Sequence, residues 1–125
     1  MSLTTMEPTP TWDEASFSET VETFASIADD IDVLVWGGDW CPDCRAVLPD
    51  FAAALDAAGV PESSVETIDV DRDKNGPLVE EYGVELIPTI VIEHDGKEIA
   101  RFVESESRPA AVYLADELRD AGLET

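Results

Sequence analysis

Apolar positions recur along the chain in two rhythms, and their alternation predicts its elements. From Ser16 to Asp30, Phe17, Val21, Phe24, Ala25 and Ile27 fall at helical spacing, which predicts an amphipathic helix. Ile31 to Trp36 is a short run rich in branched residues and reads as a buried strand ending at Gly37-Gly38. A second helix begins at Pro42, because proline suits the first helical position, where its missing N–H is no loss. It carries Val47, Leu48, Phe51, Ala54 and Leu55, contains Pro49, which predicts a kink, and stops near Gly59 with Pro61 beyond. Val65 to Val70 is the next strand, 71–76 is a polar surface loop, and Pro77 to Tyr82 is a short helix closed by Gly83. Thr89 to His94 and Glu98 to Val103 flank Asp95-Gly96, a strong two-residue hairpin signal. The last helix runs from Arg108 or Pro109 to Ala121, with Val112, Tyr113, Leu114 and Leu118 as its packed face. This order predicts an α/β fold with a mixed central sheet flanked by helices.

Length narrows the picture to one site. With 125 residues the chain builds one core and not two. Residues 1–10 lack periodicity and read as a flexible leader before a single domain over 11–125. No apolar run approaches the roughly 18 residues a membrane-spanning helix needs. No basic segment precedes an apolar one at the N-terminus, so a cytoplasmic location is the expectation.

Charge changes the picture more. The net charge is -22, from 29 acidic against 7 basic residues, and the only lysines are Lys74 and Lys97. Disorder is the plain reading of such acidity, but the regular apolar pattern between residues 17 and 118 can offset the ordering entropy by burial. Adaptation to a very salty cytosol is the sharper reading, since molar salt shortens the screening length to about 3 Å. The same charge repels phosphate backbones and anionic headgroups, which excludes nucleic acid and membrane surfaces as partners.

The chemistry concentrates in Trp40-Cys41-Pro42-Asp43-Cys44, immediately after the first strand. A cysteine at a helix start sits beside unpaired N–H groups and the positive end of the helix dipole, which favours its anionic, attacking form. A second cysteine one turn on, less exposed, can reach the mixed disulfide and expel the reduced product. Pro42 stiffens the turn, Asp43 opposes a second negative charge beside it, and Arg45 offsets part of that.

Trp40-Cys41-Pro42-Asp43-Cys44 resembles the active-site turn of thioredoxins, in the form seen in some thioredoxin-related proteins. Pro49 sits where thioredoxins carry the proline that kinks the same helix. Ile87-Pro88-Thr89 is similar to their cis-proline segment, and Asp95-Gly96 to the hairpin turn after it. The resemblance covers roughly residues 16–120 by element order and implies a thioredoxin-like fold and thiol–disulfide oxidoreductase activity. Cys41 would be the nucleophile and Cys44 the resolving thiol. Pro88 would be cis, Ile87 would offer its backbone to an extended substrate segment, and Trp40 would form one wall of the groove. No cofactor is implied, because the cysteine pair carries the two electrons. The implied partners are disulfide-containing proteins or small molecules and a thioredoxin-reductase-like electron donor.

The chain departs from the family pattern at several positions. Val35 stands where thioredoxins hold a buried Asp that accepts a proton from the resolving thiol, and Thr67 where a lysine accompanies it. Gly37-Gly38 replaces a bulkier pair, and Glu104 replaces a glycine at the groove edge. Val35 and Glu104 keep open a different reading, a binding or adaptor module with weak or no redox turnover. A zinc site is the other rival, but zinc wants four ligands and the chain has two cysteines and His94. His94 reads as a strand-end residue, and Trp12 and Trp36 as core or cap. The aspartates from Asp69 to Asp73 lack the glycine and closing glutamate of a calcium loop.

Overall fold

Branched apolar runs become strands and helical periods become helices in the computed structural model, which describes residues 14–28, 30–38, 41–71, 76, 79–94, 96–103 and 110–120. A 3-10 turn, Glu14–Phe17, leads into α1 (Ser18–Ser26) and β1 (Ile31–Gly37). Next come α2 (Pro42–Ala58), a 3-10 turn at Glu62–Ser64, and β2 (Val65–Asp69). The chain continues through α3 (Val79–Tyr82), β3 (Thr89–His94), β4 (Lys97–Val103) and α4 (Ala110–Asp120). The expected leader at 1–10, most of the polar loop at 72–75, Trp12, Asp95 and Glu104 lie outside the described residues.

The strands order as β2-β1-β3-β4, with β1 parallel to β2 and the other two pairs antiparallel. This is the mixed sheet expected, and the α/β thioredoxin-like architecture holds. Register decides which side chains share a face. Thr67, Val35, Ile90 and Phe102 line up across the four strands, and the next row is Ile68, Trp36, Thr89 and Val103. Phe102 meets Tyr113 of α4 edge-on, with ring centroids 5.7 Å apart. The first row therefore lies under α4 and its partners. α1, α2 and α4 pack on one another, with Phe24 edge-on to Phe51 at 6.4 Å. Trp36 points to the opposite face, where Tyr82 of α3 lies against it at 5.0 Å.

Some local expectations are corrected. α1 stops at Ser26, four residues early, because Ser26 Oγ donates back to the Thr23 C=O at 2.8 Å and Ile27 leaves helical geometry. Its inward residues include Thr20 and Thr23, whereas Ala25 is exposed. Thr23 tolerates burial because its hydroxyl donates to the Glu19 C=O at 2.9 Å. In α4 the buried seam is Ala110, Ala111, Leu114, Ala115 and Leu118, with Val112 and Tyr113 half-buried at its side. β4 starts one residue early and bulges where the register shifts between Ile92 and Glu93, leaving Ile99 without an opposite partner.

Pro49 sits inside α2 without ending it. Gly59 does end it: its φ of 77° takes the left-handed region, and the N–H groups of Gly59 and Val60 close on Asp56 and Leu55.

Candidate functional site

The site grows from the end of β1. Val70 N–H donates to the Gly37 C=O at 3.0 Å, tying the end of β2 to the chain as it leaves the sheet. Gly38 C=O then accepts the Cys41 N–H at 3.0 Å, closing a tight turn. Cys41 is the N-cap of α2 with extended backbone, φ -86° and ψ 120°; its C=O accepts the Arg45 N–H at 3.1 Å, the first bond of the helix. Pro42 follows at the first helical position, and Pro42 and Asp43 are exposed. Trp40 lies outside the described residues.

Both cysteines are free thiols, and they differ in access: Cys41 is 6% exposed and Cys44 fully buried. Burial is the chief reason the Cys44 thiol is pushed up to about 12. A backbone hydrogen bond from Gly38 acts the other way, favouring the thiolate. The hydrogen bond with Cys41, the charge of Cys41 and the charge of Asp43 add to the rise. The two sulfurs are close enough to share a hydrogen bond, the contact a resolving step needs.

Val35 is fully buried on the helix-covered face, between Thr67 of β2 and Ile90 of β3. An apolar side chain therefore occupies the position at which the family resemblance puts a proton acceptor for Cys44. Thr67 is half-buried beside it.

The second strand of the site comes from beyond α3. The Trp36↔Thr89 pair ends the β1–β3 ladder, so the segment before Thr89 runs beside the segment after Trp36. Ile87 and Pro88 are buried there, and the peptide bond between them is cis. No backbone hydrogen bond of the described turns and ladders uses the N–H or C=O of Ile87. The fold thus brings Cys41, Cys44, Pro42, Asp43, Ile87 and Pro88 to one end of the sheet. His94 belongs to the other end of β3, opposite Ile31 and Lys97. Among the described residues no three His, Cys, Asp or Glu gather as metal ligands.

One buttress is absent from any reading of the sequence. Tyr82 lies on Trp36 and donates its hydroxyl to Glu93 Oε2 at 2.7 Å, and that bond is the main cause that raises its phenol to about 12. Eleven residues separate the pair, and the chain between them turns through Ile87-Pro88. No local pattern announces such a contact.

A family model for thioredoxin matches residues 9–116. The thioredoxin of Chlamydia trachomatis is 31% identical over 94 residues, covering 74% of this chain and 88% of that protein. Mouse protein disulfide-isomerase A5 is 25% identical over 122 residues, which is 93% of this chain and 24% of that protein, so the chain spans about a quarter of the isomerase. Among solved structures, thioredoxin-2 of the malaria parasite aligns with a TM-score of 0.54 at 22% identity, over 73% of this chain and 82% of that one, a likeness of fold.

Proposed function

Because the chain belongs to the thioredoxin family, and so to the thiol–disulfide oxidoreductases, we propose that it runs a dithiol–disulfide cycle with Cys41 as attacking thiol and Cys44 as resolving thiol. The carrying observation is the placement of Cys41 at the start of α2 with the Cys44 thiol in hydrogen-bond contact one turn later.

The Cys41 thiolate attacks one sulfur of a substrate disulfide, forms a mixed disulfide and releases the first substrate thiol. The Cys44 thiolate then attacks Cys41 Sγ, forming the internal disulfide and releasing the second. Two electrons and two protons pass from the cysteine pair to the substrate. A reductase-like protein donor returns the pair to the dithiol. Pro88 walls the groove, and the backbone of Ile87 receives the substrate as an added strand. The setting is a reducing cytoplasm of high salt, where the acidic surface is screened. The working unit is a single domain over 11–125 preceded by a leader, and among the described residues no helix is long and apolar enough to cross a membrane.

Val35 favours a second reading, since a buried apolar residue at the position where the family resemblance puts a proton acceptor, together with a raised Cys44 thiol, suits a binding module whose redox turnover is weak. Titrating the cysteine pair in thiol/disulfide buffers separates the two. A reductase forms an internal disulfide with a potential near the ~-270 mV of thioredoxin. Cys41→Ser then reduces no disulfide, and Cys44→Ser accumulates mixed disulfides with its substrates. Absence of an internal disulfide at every poise leaves the binding module as the function.

A further inference from the structure

Among the described residues one large apolar side chain stands exposed: Leu86, at 40%. A lone exposed leucine means little by itself. Its position is what singles it out. Val84 and Ile87 are buried before and after it, Pro88 and Thr89 are buried beyond, and Thr89 Oγ1 donates to the Leu86 C=O at 2.5 Å. The backbone is pinned on both sides while the side chain is left in water. The Trp36↔Thr89 pair sets this segment beside the turn that enters Cys41. Exposed neighbours at this end include Glu85 and Asp43, in keeping with a chain of net charge -22. A surface built of carboxylates thus presents a leucine directly before Ile87-Pro88.

We propose that Leu86 is a specificity-determining residue, covering an apolar side chain next to the cysteine of an extended peptide disulfide seated along Ile87-Pro88. The substrate class is therefore protein and peptide disulfides with an apolar residue beside the attacked cysteine. The hydration that Leu86 carries in the free protein is released when such a residue docks, and a polar residue there releases none. The inference rests on the proposed role of Cys41, and the electron bookkeeping is that of the cycle above.

The test uses the full chain with excess dithiothreitol and two peptides, each with one cysteine capped as a disulfide by a small thiol. The peptides differ only in Leu or Ser next to that cysteine. The wild-type protein is expected to favour the Leu peptide about tenfold in kcat/KM, through KM, as a single modest apolar contact allows. Leu86→Ser should bring the ratio close to one, and Leu86→Met should keep it. A ratio near one in the wild type, or an unchanged ratio in Leu86→Ser, overturns the proposal while leaving the cysteine cycle intact. No turnover of either peptide by the wild type overturns both.

Discussion

Cys44 and Tyr82 belong to opposite faces of the same sheet, and each holds its proton to about pH 12, but for different physical reasons. Cys44 is buried in the first turn of α2, where loss of water disfavours its thiolate. Tyr82 is half-exposed on the far face, and its proton is held chiefly by the hydrogen bond to Glu93. The Tyr82 shift fits a brace that never has to ionise. In the proposed cycle the Cys44 shift falls on a group that must ionise to resolve the mixed disulfide. Between them, Val35 and Trp36 point to opposite faces from adjacent positions of β1. Val35 offers Cys44 no acceptor, whereas Glu93 meets the hydroxyl of the tyrosine that lies on Trp36.

The sharpest way to break this contrast is to supply an acceptor on the cysteine side. Val35→Asp buries a carboxyl among apolar neighbours and should destabilise the fold by about 2–4 kcal/mol, read from urea unfolding. It should also speed release of the second product thiol near neutral pH by about tenfold, read by rapid quench. A release rate unchanged from wild type means that Cys44 already finds its acceptor elsewhere.

Salt tests the surface that both faces share. A chain of net charge -22 should gain about 10 °C in melting temperature between dilute buffer and molar potassium chloride, because repulsion among carboxylates is screened. Differential scanning calorimetry gives the answer, and a flat or falling melting temperature removes the high-salt setting.

Alkaline titration separates the two raised groups. Both folded-state values lie above their ordinary ones, 9.0 for the thiol and 10.0 for the phenol, so each contributes stability that is complete below the ordinary value. That stability is lost as pH rises toward about 12. In the wild type the loss should begin near pH 9. Cys44→Ser should delay it to about pH 10, and Tyr82→Phe should leave its onset where it is. Identical profiles for the two variants would mean that the two groups do not act independently.

The smallest effect belongs to the brace itself. Tyr82→Phe removes one half-exposed hydrogen bond and should cost about 0.5–1 kcal/mol in chemical denaturation. The ring stays on Trp36, so tryptophan fluorescence should change little. A larger cost would mean that Tyr82 holds the end of β1, and with it the turn into Cys41.

Much of this was legible in the sequence because it depends on neighbours a few residues apart. Pro42 after Cys41, Gly59 after a helical period and the two β-rich runs around Asp95-Gly96 each specify a local backbone state. The placement of the cysteine pair one turn apart at a helix start was legible in the same way. Periodicity misjudged Thr20 and Thr23, because it scores a threonine by its hydroxyl and cannot see that the hydroxyl of Thr23 turns back onto its own helix. In α4 it found Leu114 and Leu118 but not the three alanines, Ala110, Ala111 and Ala115, that share the seam with them in place of Val112 and Tyr113.

By itself, then, the sequence determined the element order, the helix start that carries Cys41 and the absence of a carboxylate at position 35. The tertiary structure alone decided that β1 lies between β2 and β3, that Cys44 is dry, that Tyr82 reaches Glu93 and that Leu86 is left in water. The physical reason is one of range. Backbone preferences and helix ends are settled by contacts within a turn, whereas burial and its consequences for ionisation depend on which distant side chains arrive to exclude the water.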